Sequence, residues 1–168
     1  LIVGHLHEQI QEYFGDGSRF GIDIQYYIEE MPLGTVGGVK ALEAHLTEPF
    51  LVLYGDVMMN MDLEKLVLFH QNKGADATLV VHPNDHPYDS DLLDVDGQDR
   101  VTAFYPKPHP EGLRYRNLVN AAAYVFNPSV LTTLEAGVKA DFGKDIFPWL
   151  YKELKVYAYN TPEYLKDM

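Results

Sequence analysis

The apolar positions of this chain change period several times, and each change marks an element. Leu1, Ile2 and Val3 read as the end of an apolar strand. Leu6, Ile10 and Phe14 recur at i, i+4 and i+8, which predicts a helix over 5–14. Gly15-Asp16-Gly17-Ser18 closes it with turn chemistry. Ile22, Ile24, Tyr26 and Ile28 then alternate, predicting a strand over 20–28. A Gly-rich turn from Pro32 to Gly38 opens a helix carrying Val39, Leu42 and Leu46. Residues 50–54 are apolar without a break, the pattern of a strand covered on both faces, and the run stops at Gly55-Asp56. Asp62 suits the N-cap of a helix bearing Leu63, Leu66, Val67 and His70.

The second half is more mixed. Residues 77–81 predict another buried strand, followed by a polar loop over 82–90. Residues 92–95 and 101–105, joined through Asp96-Gly97, predict a hairpin. The stretch 105–112 holds three prolines and must be irregular. A long strand over 118–126 follows, then helices over 128–135 and 145–154, the second with Pro148 in its first turns. A strand over 156–159 and a helical turn over 161–166 end the pattern. Strand–helix alternation as far as Asn72, then a mixed region, predicts an α/β fold. Its sheet is mostly parallel and flanked by helices, with a small antiparallel annex. No repeat or linker interrupts 1–168, so the chain reads as a single domain.

Charge narrows the partners. Against 25 Asp and Glu stand 13 Lys and Arg, a formal net charge of -12. Such a surface repels phosphate polymers, which argues against nucleic-acid and anionic-membrane partners. An anionic small molecule needs a metal ion or a few local cations and backbone N–H groups to offset that field. The chain has no Cys, which excludes disulfides, thiolate metal sites and a Cys nucleophile and fits the cytoplasm. Its apolar runs are strand-length, far short of the roughly 20 residues that span a bilayer. Residues 1–20 carry no signal-peptide pattern.

Five places carry candidate chemistry. Gly34-Thr35-Val36-Gly37-Gly38 lies between a strand and a helix, where backbone N–H groups and missing Cβ atoms admit a nucleotide; a plain strand–helix turn is the alternative. It matches neither the dinucleotide fingerprint nor the Walker A pattern. Asp56, just past the carboxyl end of a strand, suits Mg²⁺, which takes one or two carboxylates together with substrate phosphates; a turn aspartate is the alternative. Lys107, held between Pro106 and Pro108, can meet a phosphate as a point charge or simply be solvated. Asn120 interrupts an apolar strand, and its amide needs partners that a sugar hydroxyl or the backbone supplies equally well. Asp167, a lone acid near the end of the chain, reads as solvated surface. The histidines at 5, 7, 82 and 86 lack the spacing of a metal site.

The order of these segments says more than any one of them. Gly4-His5-Leu6-His7-Glu8-Gln9-Ile10, Tyr13-Phe14-Gly15-Asp16-Gly17-Ser18, Glu30-Met31-Pro32-Leu33-Gly34-Thr35 and Gly55-Asp56 come first. Pro106-Lys107-Pro108, Asn120-Ala121-Ala122-Ala123-Tyr124-Val125-Phe126 and Lys166-Asp167-Met168 follow in the same order. Together, over nearly the whole chain, they resemble the sugar-1-phosphate nucleotidyltransferase family. The tone is closest to bacterial mannose-1-phosphate and heptose-1-phosphate guanylyltransferases of surface-polysaccharide pathways, some of which are fused to a phosphatase domain.

The resemblance implies a Rossmann-like fold and transfer of a nucleotidyl group from an NTP to a sugar 1-phosphate, with release of pyrophosphate. It implies that Gly34, Thr35 and Gly37 line the nucleobase pocket and that Asp56 and Asp167 hold Mg²⁺. Lys107 would contact the sugar phosphate, and Asn120 with Ala122 the sugar. It leaves room for a homo-oligomer and for a fused phosphatase domain. The family's first strand and Gly-rich Arg/Lys loop would precede Leu1, so the domain over 1–168 reads as truncated at both ends. Pro106 stands where the family has Glu, and Ala122 where it has Gly, which leaves the sugar open. A metal-dependent nucleotide-sugar glycosyltransferase is the rival enzyme, though its tight Asp-x-Asp is missing, since Val57-Met58 follows Asp56. A non-catalytic paralogue that binds the nucleotide sugar is the rival outside catalysis.

Overall fold

The computed structural model describes residues 1–112 and 114–167, the side chain of Asp167 excepted. In chain order the elements are β1 (Ile2–Val3), α1 (His7–Phe14), β2 (Tyr27–Ile28), α2 (Gly34–Ala41), β3 (Phe50–Leu53), β4 (Val57–Asn60) and α3 (Leu63–Lys73). There follow β5 (Ala77–His82), β6 (Leu92–Val95), β7 (Val101–Tyr105), β8 (Val119–Phe126), α4 (Phe147–Glu153), β9 (Val156–Asn160) and β10 (Tyr164–Asp167).

The main sheet runs β7-β6-β8-β5-β9, with β3 also paired to β8. β3, β5, β6 and β9 run in one direction and β7 and β8 in the other. The expected bias toward one strand direction therefore holds, and the β6–β7 hairpin and the antiparallel β4–β10 pair are the small antiparallel parts. Among the described residues, direct parallel pairing within the main sheet occurs only between β5 and β9, because β8 lies antiparallel between β3 and β5. β1 pairs in parallel with β2 and, among the described residues, not with β3.

β8 organises the core because both of its faces are covered. Tyr124 and Phe126 point into one layer, where they meet Phe142 and Phe147 with ring centroids 5.0–6.3 Å apart. Ala121, Ala123 and Val125 face the other, against Leu66 of α3, Val80 and Leu165. That double cover explains why β8 reads as a near-continuous apolar run. α3 starts where Asp62 predicts, with Asp62 Oδ1 accepting the Lys65 N–H at 3.2 Å, and ends at Gly74 in the left-handed region (φ 54°). His70 on its inner face is buried between Thr78 Oγ1 and Asn127 Oδ1, a satisfied core histidine.

Four expectations change. Residues 20–28 form a strand only at Tyr27–Ile28, because the segment folds back on the preceding turn, with Ile22 N–H bonded to Gly17 C=O and Ile24 N–H to Asp16 C=O. β3 is not covered on both faces: Leu51 and Leu53 are exposed while Phe50 and Val52 face the core. The segment over 128–135 tightens to a 3₁₀ helix, Pro128–Thr133. Residues 161–166 are not helical; they lead into β10, which pairs with β4, a strand the pattern did not predict.

Candidate active site

A cavity of about 670 Å³ opens at the carboxyl ends of β3 and β5, where open α/β sheets place their ligands. Its size lies within the range of small-molecule sites. The turn after β3 supplies Tyr54 and Asp56, the loop after β5 supplies His82 to His86, and the loop after β7 supplies Lys107. The first half of β8 adds Asn120 and Ala122, and Asp141 and Gly143 complete the lining.

The fold therefore brings Asp56, Lys107, Asn120 and Ala122 together from three separate stretches of chain. Asp56 is exposed at the cavity and engages in no ion pair among the described residues. Asp167 sits in register with Val57, next to Asp56, but its side chain lies outside the described residues. Lys107 is exposed, and its backbone N–H donates to Asp91 Oδ1 at 3.0 Å. Asn120 donates from Nδ2 to the Tyr124 hydroxyl at 3.0 Å, while its Oδ1 is buried without a partner among the described residues.

Ala122 owes its place to a break in β8. Along β5 the register steps from Leu79 to Val81, while along β8 it jumps from Tyr124 to Asn120. The extra residues bulge, and Ala122 takes φ 53° with its carbonyl accepting the Tyr54 N–H at 3.4 Å. An L-residue there is strained by about 1–2 kcal/mol. Ala122→Gly relieves that strain and adds about 0.4–1 kcal/mol of unfolded-chain entropy. The expected net is a stabilisation of up to about 1 kcal/mol, whereas Ala123→Gly in the same strand should destabilise. Urea unfolding midpoints of the two variants check the opposite signs.

Gly34, Thr35 and Gly37 do not line the cavity. Gly34 has φ 74°, and a Cβ on it would strike the Ala140 carbonyl, so this turn docks on the segment over 140–142. Thr35 Oγ1 donates to Asp141 Oδ2 at 3.0 Å and accepts the Phe142 N–H at 2.9 Å. Gly37 packs on the Leu33 side chain. The segment reaches the cavity through its neighbours Tyr54 and Asp141.

Burial sets the electrostatics here. It pushes the Tyr54 phenol up to about 12, partly opposed by the nearby Thr35 hydroxyl, and raises the fully buried Tyr124 phenol as well. Both phenols stay neutral near pH 7 and serve as hydrogen-bonding walls. Burial likewise raises Asp91, against the lowering influence of the Lys107 N–H and charge. Tyr54, Asp91 and Asp141 escaped the sequence reading. The one available signal was the acid pair Asp89 and Asp91 in a polar loop, which looks like ordinary surface.

With this geometry in hand, comparison with known proteins is decisive. The profile of the nucleotidyl transferase family matches residues 1–167. The chain belongs to that family. It is 34% identical over 158 residues to a mannose-1-phosphate guanylyltransferase of Mycobacterium tuberculosis, covering 92% of this chain and 43% of the relative. It is 32% identical over 173 residues to a UTP–glucose-1-phosphate uridylyltransferase of Synechocystis, covering 94% and 44%. The crystal structure of HddC from Yersinia pseudotuberculosis superposes with a TM-score of 0.81 at 20% identity, over 99% of this chain and 71% of that one, which supports the fold. The chain thus spans less than half the length of these two sequence relatives. Among the described residues no helix is long and apolar enough to cross a membrane.

Proposed function

We propose that the protein containing this chain transfers a nucleotidyl group from an NTP to a sugar 1-phosphate, giving an NDP-sugar and pyrophosphate. The reading is carried by one observation: Asp56, Lys107 and Asn120 converge on one cavity at the strand ends of a nucleotidyl transferase domain. GTP with mannose or heptose 1-phosphate is the first pair to test, since several relatives are named mannose-1-phosphate guanylyltransferases. A reaction that consumes an NTP suits the cytoplasm.

The exposed carboxylate of Asp56 suits Mg²⁺ as the ion for this reaction. Mg²⁺ is held by one or two protein carboxylates together with substrate phosphates and waters, and Asp56 is an exposed carboxylate at the cavity. Asp56, with Asp167 beside it in sequence register, would hold the ion. When bound, the ion neutralises phosphate charge as a Lewis acid. Lys107 orients the sugar phosphate, and Asn120 holds the sugar. The attacking phosphate oxygen is already ionised, so no general base is needed. It bonds to the α-phosphorus, and the bond from that phosphorus to the departing pyrophosphate breaks. Catalysis then rests on positioning two polyanions in line. The segment carrying Gly34, Thr35 and Gly37, tied to the cavity wall through Asp141, is our proposal for the nucleobase side.

Pyrophosphate release by the full-length protein, assayed over four NTPs and a panel of sugar 1-phosphates, tests the reading. Release with one NTP and one sugar phosphate supports it. Cleavage of a nucleotide sugar instead points to a glycosyltransferase, and binding without turnover points to a regulatory paralogue.

A further inference from the structure

One wall of the cavity carries two acceptor atoms that no described residue satisfies. Asp91 Oδ1 takes the Lys107 N–H, but Oδ2 accepts no hydrogen bond from the described residues, and Asp91 forms no ion pair there. Beside it, the Asn120 N–H donates to the Asp91 carbonyl at 2.9 Å, and Asn120 Oδ1 is buried without a partner among the described residues. The two side chains lie 29 positions apart in sequence and are locked together by that backbone bond. The fold also makes room for the carboxylate. A Cβ on Gly143 would collide with Asp91 Oδ2, so any larger residue there would have to push the carboxylate out of its present position.

A half-buried carboxylate without a counter-ion is costly to keep, and burial raises its pKa accordingly. What would satisfy it must donate hydrogen bonds. Phosphate oxygens cannot: they are acceptors, and both Asp91 and Asp141 repel their charge. Water donors leave no selectivity, whereas sugar hydroxyls offer donors in a fixed array. The cation adjoining this wall is Lys107, whose backbone Asp91 itself holds in place. The cavity is thus polarised, with acceptors on one side and a lysine next to them, matching a polyol that carries one phosphate.

We propose that Asp91 is a specificity-determining residue that accepts hydroxyl donors of the sugar ring through Oδ2, alongside Asn120 Oδ1. The inference rests on the transferase reading and adds to it the group that reads the sugar. Asp141 is not equivalent, because its carboxylate is occupied by the Thr35 hydroxyl and the N–H groups of Gly143 and Lys144.

The test compares wild type and Asp91→Asn in the full-length protein by titration calorimetry, with the sugar 1-phosphate that turns over best and with inorganic phosphate. Asn keeps the acceptor for the Lys107 N–H but removes the charge. The expected result is sugar 1-phosphate binding weakened roughly ten- to a hundredfold, the range for hydrogen bonds to charged groups. Inorganic phosphate should bind equally or more tightly, because a repelling charge is gone. Thermal stability of the free protein should hold or rise. One of a panel of monodeoxy sugar 1-phosphates should bind wild type and variant within twofold of each other, identifying the hydroxyl read.

Equal weakening for phosphate and sugar phosphate, or a lowered melting temperature with no effect on binding, makes Asp91 a support for the Lys107 loop and overturns the proposal. Deoxy analogues that all retain the full difference overturn it too. The transferase reading fails separately: wild type that releases no pyrophosphate with any sugar phosphate sinks that reading, whereas turnover with an indifferent Asp91→Asn sinks only the sugar contact.

Discussion

In the full-length protein Asp56→Asn will lower turnover by roughly two to four orders of magnitude, the several kcal/mol that a Lewis-acid metal contributes to such a transition state. The amide keeps the size of the carboxylate and loses the charge that a hard divalent cation requires. The fold should not notice. Asp56 is exposed, lies in the turn beyond β3, and has no ion-pair partner among the described residues. Its melting temperature should therefore match wild type while its activity collapses. Raising the Mg²⁺ concentration should recover part of the loss if the defect is affinity for the ion. Near-normal kinetics in ordinary Mg²⁺ would remove Asp56 from the metal site.

Such a contrast between a silent fold and a lost activity is what the local sequence could convey, because Asp56 is marked by position alone. An apolar run that stops at Gly-Asp is visible one residue at a time. The same is true of Asp62, whose capping bond reaches only three residues ahead, and of the β6–β7 hairpin, whose Asp96 accepts the N–H groups of Gln98 and Arg100 within its own turn. Asn120 was also legible, since an amide in an apolar strand demands a partner.

What stayed hidden depends on distant chain. β4 and β10 are four-residue strands that exist because they pair with each other across about a hundred positions, and neither has a period strong enough to declare itself. The alternation over 20–28 misled for the opposite reason: Ile22 and Ile24 bond to the adjacent Gly17 and Asp16, and only Tyr27–Ile28 reach another strand. Leu51 and Leu53 looked like core residues because hydrophobicity records what a side chain prefers, not what covers it. Asp91 was invisible as a site residue because its role comes from three other places: the Lys107 backbone, the Asn120 backbone and the space left by Gly143. No spacing rule links those positions.

Lys107→Ala will raise the apparent KM for sugar 1-phosphate about ten- to a hundredfold while changing the KM for NTP much less. The lysine is exposed at the cavity on a loop whose backbone is pinned to Asp91, so truncating the side chain should leave the loop in place. What is lost is a charge-assisted contact worth roughly 1.5–3 kcal/mol. That energy belongs to one substrate, because only the sugar phosphate is proposed to lie beside the wall formed by Asp91 and Asn120. The net charge of -12 makes the loss harder to absorb, since surrounding carboxylates repel the same phosphate once the local cation is gone. Lys107→Arg should restore part of the binding, although its planar fork matches the site of a compact ammonium imperfectly. Steady-state kinetics with each substrate varied in turn decide the matter. A KM that rises equally for both substrates would move Lys107 to the shared phosphate region, and a rise confined to NTP would reverse the orientation assigned to the two substrates in the cavity.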